Sequence, residues 1–231
     1  MQPLTFNCWV TVVLILGRAF LGRAGLSGQV PRSWLRRPPT KVEVGKLLNG
    51  CKSPGAKLAI ALAAFSGLQL GQVRGLSLGK NVVGLPLPQL KFAEVPARIE
   101  LWSRVTQRRA VHPHKWYTFL STRACGWLLE DLKVRSQPVS TKATVVTSRS
   151  FKEADRVVHA AGLRWHDLRD FFAESFIHCF VTMGTGSVDL RFLLGHSIDE
   201  NVLTHVWRFY DPQRIKWMRA RYAQVEKQYF V

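Results

Sequence analysis

Two short segments of the chain combine histidine and arginine at spacings that suit phosphate chemistry. In "GLRWHDLRDFF", His166 and Arg169 are three residues apart, and residues at that spacing share one face of a helix. Thirty residues after His166, "LLGHS" places His196 directly after a tight turn. Arginine and histidine donors suit an anion with several oxygens, such as a phosphodiester. The three residues are predicted to surround one phosphate, where one histidine acts as acid or base.

A simpler interpretation of the pair is surface decoration. A His-x-x-Arg spacing is common by chance, and Asp167 or Asp170 stands close enough along the helix to neutralise Arg169. The second histidine, His196, is the feature that favours the phosphate site over a surface pair.

The charge of the chain favours a polyanionic partner. Its 231 residues include 33 lysines and arginines against 15 aspartates and glutamates, a formal charge of +18. Nucleic acid is the first expectation for such a surplus, and a membrane surface is the main competitor. A basic protein without a specific anion partner is the third interpretation.

Metal, disulfide and nucleotide chemistry are not favoured. Cys8, Cys51, Cys125 and Cys179 are scattered without zinc spacing, so reduced and buried thiols are expected. The chain has no glycine-rich phosphate loop, which argues against a nucleotide-dependent enzyme. No cofactor is therefore predicted.

The first 39 residues are predicted to be a stump or linker. The apolar run Phe6–Gly17 is shorter than the roughly 20 residues of a spanning helix, and the proline-rich "VPRSWLRRPPT" follows it. An organellar transit peptide is the alternative, because no acidic residue precedes Glu43.

The elements that must position the histidines and arginine are mostly helices. Thr40 and Glu43 have capping-box spacing before the first helix, and "ARIELW" and "KWYTFL" favour two strands around a basic hairpin. Residues 79–97 up to the first strand are predicted to be loop. Further helices are predicted in "SPGAKLAIALAAFSGL", "STRACGWLLEDLKVR", "SRSFKEADRVVHAAGL" (capped at Ser148 or Ser150), "WHDLRDFFAESFIHCFVTMG", "SVDLRFLLGH", "DENVLTHVWRFY" and "PQRIKWMRARYAQVEKQYF". The predicted class is mainly α with a small antiparallel β-sheet (α+β).

The order of these motifs resembles a known family. "HDLRDFFAES" followed by "VDLRFLLGHS" is similar to the second half of the tyrosine recombinase (phage integrase) catalytic domain, with its His-x-x-Arg box and Leu-Gly-His turn. Upstream, "LAIALAAFSGLQLGQVRGLSL" resembles the family's first box, and "KWYTFLSTRACGWLLEDLKVR" resembles the strand and helix after the hairpin in archaeal-type members. The resemblance covers about residues 40–231 and implies the DNA breaking-rejoining fold.

The resemblance implies a site-specific recombinase or integrase of the kind used in DNA integration by phages and mobile elements. Such a protein binds double-stranded DNA, cuts one strand with a tyrosine and rejoins it through a phosphotyrosine intermediate, without a metal or small-molecule cofactor. His166, Arg169 and His196 take the family's phosphate-binding positions. The resemblance also implies a homo-oligomer, a tetramer on DNA, and a DNA-associated cytoplasmic location, with organellar targeting left open and a membrane not expected. The last helix either docks on a neighbouring protomer or packs on its own domain.

Several family positions are not matched. Gln69 occupies the first-box arginine position and Gln72 its acidic position, while Arg74 lies about 500° further round a helix. Lys115, the only lysine between Lys91 and Lys133, is either the catalytic hairpin lysine or a DNA-backbone contact.

The nucleophile position also departs from the family. The usual tyrosine falls at His205 and Val206, and the nearest tyrosine is Tyr210, which is either the nucleophile or a packing residue. The alternative function is therefore a catalytically inactive, truncated homologue that acts as a DNA-binding or assembly module.

Overall fold

A computed structural model of the chain describes residues 37–83, 94–102, 115–135, 143–181, 187–195 and 209–230. In chain order the elements are α1 (Lys41–Gly50), α2 (Pro54–Ala64), α3 (Leu70–Gly75), α4 (Leu78–Asn81), β1 (Val82–Val83), β2 (Ala97–Trp102), β3 (Lys115–Leu120), α5 (Thr122–Val134), α6 (Ser148–Ala160), α7 (Trp165–Val181), α8 (Ser187–Leu193) and α9 (Pro212–Tyr229). The strands form one antiparallel sheet in the order β1-β2-β3. The predicted class, mainly α with a small antiparallel sheet, is confirmed.

The sheet contains one strand that the sequence did not predict. Val82 and Val83 pair with Ile99 and Arg98 of β2, although this segment is predicted to be loop. The pairing partner lies many residues further along the chain, so the local pattern of glycines and prolines could not indicate a strand. The register of β2 on β3 sets Glu100 opposite Tyr117.

Side-chain caps fix where the helices begin. Thr40 and Glu43 form the predicted capping box, in which the Thr40 backbone N–H donates to Glu43 Oε2 at 2.6 Å. Helix α6 instead begins after Thr147, whose Oγ1 accepts a hydrogen bond from the Ser150 backbone N–H at 3.1 Å. The prediction of Ser148 or Ser150 as this cap is wrong, because both residues lie inside the helix and Thr147 has the extended backbone of a cap.

Helix α2 is the centre of the domain. Its side chains from Leu58 to Ala64 are fully buried, and it packs against α5, α6 and α7. A helix that is apolar all round is expected to be buried in this way. Helices α6 and α7, which carry the candidate site, both pack on α2, and α2 therefore sets their positions relative to each other.

The C-terminal helix α9 packs on its own domain. Tyr222 and Val225 are fully buried, and the Tyr222 hydroxyl donates to the Phe65 carbonyl at 2.7 Å. Phe230 stacks on the Phe65 ring with centroids 4.6 Å apart. Of the two alternatives for this helix, the structure shows packing within the chain.

Several predictions fall on residues outside the described part of the chain. They concern residues 1–36 with Cys8, the basic hairpin at 103–114, and the segment 196–208 with His196, His205 and Val206. The other three cysteines are buried and form no disulfide among the described residues. Among the described helices, none combines the length and apolarity needed to cross a membrane.

Candidate functional site

A cleft of about 460 Å³ lies where the start of α3 faces α6 and α7. Its described lining consists of Gln69, Leu70, Asp155, His159, Arg164, Trp165, His166 and Arg169. The fold thus brings together three of the sequence-predicted residues: Gln69, His166 and Arg169. His196 lies outside the described residues, and Lys115 and Tyr210 do not line this cleft.

Arg169 forms the buried wall of the cleft and is only 5 % exposed. Its Nη1 donates to the Gly67 carbonyl and its Nη2 to the Leu194 carbonyl, both at 2.7 Å. Gly67 has φ +68°, and a Cβ there would lie 2.6 Å from the Phe172 ring. Arg169 therefore holds the first-box turn and the Leu-Gly turn against α7.

No carboxylate among the described residues forms an ion pair with Arg169. Its hydrogen-bond acceptors are neutral carbonyls. Burial lowers the pKa of its guanidinium to about 10, against an opposing effect of Asp170. Since that value is above neutrality, the group remains charged. A buried cation without a carboxylate partner favours an anion in the adjoining space.

The two acidic neighbours of Arg169 interact with other groups. Asp167 accepts from Arg164, with Nη2 and Oδ1 2.8 Å apart. Asp170 faces His166, whose Nε2 lies 3.5 Å from Asp170 Oδ1. Burial raises the pKa of the Asp170 carboxyl above its ordinary value, and His166 opposes that rise. The His166 side chain is 71 % exposed and stands at the cleft mouth.

Gln69 occupies the cleft position at which the family resemblance places an arginine. It precedes α3 with extended backbone, and its backbone N–H donates to Gln72 Oε1 at 2.8 Å. Gln72 is 3 % exposed, and its side-chain nitrogen has no hydrogen-bond partner within the described residues. Arg74 lies elsewhere, with its guanidinium 5.3 Å from the centre of the Phe151 ring.

Lys115 and Tyr210 form a separate cluster beside the sheet. Lys115 Nζ lies 2.8 Å from Glu100 Oε2 and 5.6 Å from the centre of the Tyr210 ring. Tyr210 packs edge-on against Tyr117, and its hydroxyl is buried without a hydrogen-bond partner in the described part of the chain. Burial, and to a smaller extent Glu100, raises the pKa of the Tyr210 phenol above its ordinary value. The phenol is therefore neutral and shielded in this conformation.

The cleft also contains residues that the sequence analysis missed. The Trp165 indole N–H donates to Asp155 Oδ1 at 2.7 Å, and His159 Nδ1 lies 2.8 Å from the Asp155 carbonyl. The spacing of Asp155 and His159, four residues apart on an amphipathic helix, would have indicated a side-chain pair. Among the described residues, no group of three or more His, Cys, Asp or Glu side chains is arranged to hold a metal ion.

A second depression of about 920 Å³ lies on the other flank of α6. Its cations include Lys52, Arg135, Arg149 and Arg156. Arg135 is held by Asp131, with Nε and Oδ2 2.8 Å apart. Arg149, Lys152 and Arg156 are exposed along α6. Helix α6 is thus a cationic ridge between two depressions.

The chain resembles known proteins in structure only, and weakly. No family model and no curated protein matches the chain. Among solved structures, it is similar to the XerH site-specific recombinase bound to difH substrate in a pre-cleavage complex, with a TM-score of 0.44 and 16% identity over 77% of this chain and 56% of that one. It is also similar to XerH bound to a palindromic difH substrate in a post-cleavage complex, with a TM-score of 0.44 and 16% identity over 78% of this chain and 51% of that one. The chain spans about half the length of these structures, and a likeness of this degree assigns neither family nor activity.

Proposed function

We propose that this chain is a recombinase-like protein that binds duplex DNA and holds one DNA phosphodiester in the cleft lined by Gln69, His166 and Arg169. The observation that carries the proposal is the charge of Arg169, which is buried on the cleft wall and has no ion-pair partner among the described residues. A phosphodiester is the anion that a chain of formal charge +18 would meet along a nucleic acid.

The three cleft residues would contribute in different ways. Arg169 donates two of its five N–H groups to carbonyls, and it contributes the field of its positive charge to the cleft. His166 is exposed at the mouth and supplies a donor, which is charged when the imidazole is protonated. Gln69 supplies a neutral amide donor in place of a guanidinium.

The shape of the surface supports duplex DNA as the partner. An α-helix fits the major groove, which is about 12 Å wide. Helix α6 carries Arg149, Lys152 and Arg156 on its exposed side and has a depression on each flank. A duplex seated on this ridge would bring its two phosphate backbones towards the two depressions, where the cations lie.

Recombinase activity in full requires a tyrosine that attacks the held phosphodiester, and Tyr210 is the candidate. Attack needs the phenol oxygen close to the phosphorus, in line with the leaving oxygen. Because the Tyr210 hydroxyl is buried beside Tyr117 and does not line the cleft, its use requires the segment that carries it to move. DNA integration, a phage or mobile-element origin, assembly as a tetramer and a DNA-associated cytoplasmic location remain predictions.

A second candidate function is a DNA-binding or assembly module that does not cut DNA. Two observations favour it: the neutral Gln69 in the cleft and the shielded hydroxyl of Tyr210. Loss of one preorganised charge typically lowers the rate of such a reaction by about 10²- to 10³-fold. The two candidates share the DNA-binding surface and differ in the covalent step.

A nicked duplex that traps a phosphotyrosine adduct separates the two candidates. An adduct that forms with the natural chain and with Tyr229→Phe, and is lost in Tyr210→Phe, supports strand cutting by Tyr210. Salt-sensitive duplex binding without any adduct supports the module. Absence of duplex binding at low salt overturns both.

A further inference from the structure

The cleft contains a second histidine, His159, to which the sequence motifs assign no role. It lies near the end of α6, its side chain is 62 % exposed, and it lines the same cleft as His166. Two imidazoles therefore face the space in which the proposed function places a phosphate.

The His159 ring is oriented by its own helix. Its Nδ1 lies 2.8 Å from the Asp155 carbonyl oxygen and 3.4 Å from Asp155 Oδ1. The Trp165 indole N–H, at 2.7 Å, holds that carboxylate in place from α7. Both Asp155 oxygens are acceptors, so Nδ1 carries a proton and donates. Nε2 is then the nitrogen through which His159 can contact a ligand.

The charges around His159 favour an anionic ligand. On α6 its neighbours are Asp155 and the exposed Arg156. Helix α7 and the turn before it contribute Arg164, His166 and Arg169 to the cleft. Helix α3 and its cap contribute the uncharged Leu70 and Gln69. The described lining has one carboxylate against two guanidinium groups and two imidazoles. Asp167 pairs with Arg164 and Asp170 faces His166, which leaves Arg169 as a lining cation without an ion pair among the described residues.

We infer that His159, positioned by Asp155, is a phosphate-contacting residue of this cleft, and that its protonated ring makes DNA binding stronger at acid pH. The inference rests on the proposed function, in which the cleft holds a DNA phosphate. Histidine side chains exchange a proton between about pH 5 and 8. A bound phosphate favours the protonated ring, so affinity rises as the pH falls through that range.

The test measures the affinity of the full chain for a fluorescein-labelled duplex at about pH 5.5 and pH 8, at several salt concentrations. His159→Gln removes this ionisable side chain and leaves His166 in the cleft, whereas His159→Lys places a permanent positive charge at the position. His178→Gln is the matched control, because His178 lies on α7 and does not line the cleft. Thermal unfolding of each variant confirms that it is folded.

We expect the natural chain and His178→Gln to bind more tightly at acid pH. In His159→Gln the acid affinity falls about three- to fivefold, the range of an exposed ion pair, with no change at pH 8. Its salt slope at acid pH falls by about one, as for one lost phosphate contact. His159→Lys binds more tightly than His159→Gln at pH 8.

The positioning role of Asp155 has its own readout. If Asp155 orients the ring, His159→Gln should cost less affinity in an Asp155→Asn background than in the natural chain, because the two substitutions then remove one interaction. An unchanged cost of His159→Gln in that background contradicts positioning by Asp155.

Other outcomes overturn the contact itself. One is a pH dependence of duplex affinity in His159→Gln as large as in the natural chain. Another is an equal loss of affinity in His159→Gln at both pH values. The third is an affinity of His159→Lys at pH 8 no higher than that of His159→Gln. Absence of duplex binding by the natural chain at either pH would instead refute the proposed function.

Discussion

Arg169 donates a hydrogen bond from Nη2 to the backbone carbonyl of Leu194, 2.7 Å away. The bond joins helix α7 to the turn that directly precedes His196 in the sequence, and Nη1 makes the equivalent bond to Gly67. One side chain therefore supports two turns and also supplies the buried charge of the cleft. Under the proposed function, this residue therefore contributes both to stability and to DNA binding.

Arg169→Lys should destabilise the fold while keeping the positive charge. A lysine ammonium cannot reproduce the planar fork that reaches Gly67 and Leu194 together, so a buried carbonyl loses its donor. The expected cost is about 1–3 kcal/mol in the free energy of unfolding, measured by chemical denaturation. Arg164→Lys is the control, because Arg164 is half-exposed and makes local contacts to Asp167. The denaturant midpoint of this variant should change little. Equal stability of Arg169→Lys and the natural chain would contradict this role of the arginine.

Gly195→Ala should be strongly unfavourable. Gly195 has φ +65°, and a Cβ there would overlap the Trp116 ring. Backbone strain alone should lower the free energy of unfolding by about 1–3 kcal/mol, which would be measured as a lower denaturant midpoint. Gly126→Ala is the matched control, since Gly126 is exposed within α5 and a Cβ there meets nothing within 4 Å. Gly126→Ala should stabilise the protein by roughly 0.5–1 kcal/mol. A similar gain in stability in Gly195→Ala would refute the close approach of the Trp116 ring to Gly195.

Gln69→Arg should strengthen DNA binding. The substitution adds a cation to the cleft mouth beside His166 and Arg169. One further phosphate contact should steepen the dependence of log affinity on log salt by about one. Gln213→Arg adds the same charge at an exposed position on α9, outside the cleft. Equal effects of the two variants would show that overall charge, and not the cleft, determines binding.

Glu153 should make the fold sensitive to acid. Burial raises the pKa of its carboxyl, but the hydrogen bonds from Ser53 and from the Lys52 backbone N–H outweigh this and hold the pKa below its ordinary value. A lowered folded-state pKa contributes stability above the unfolded-state value, and that contribution is lost as the pH falls through the folded-state value. In Glu153→Gln, denaturant midpoints should be lower at neutral pH and fall less on acidification below about pH 4.5. Glu130→Gln, exposed on α5, is the control, and an unaltered acid profile in Glu153→Gln would contradict the assignment.

Local sequence patterns predicted the features that depend on local chemistry. The capping box of Thr40 and Glu43 and the buried apolar run Leu58–Ala64 of helix α2 are examples, because caps and buried helices follow from residues a few positions apart. Strand β1 escaped prediction because Val82 and Val83 become a strand only by pairing with β2.

The candidate site shows the same division. His166 and Arg169 were found by their spacing, and the cleft does contain both, together with Gln69. The role of Arg169 in holding Gly67 and Leu194 depends on contacts between segments distant in sequence. Asp155 and His159 line the cleft because α6 and α7 both pack on α2 and meet where Trp165 contacts Asp155. Periodicity alone does not determine which helices become neighbours.

The most direct test of the central claim is the affinity of the full chain for a labelled DNA duplex when one negative charge is placed in the cleft. The natural chain should bind with steep salt dependence, and His166→Glu should weaken binding at least about tenfold at low salt. Ile177→Glu, an exposed position on the same helix and outside the cleft, should weaken it far less. Equal weakening by the two variants, or binding to anionic lipid vesicles without binding to the duplex, would contradict the account.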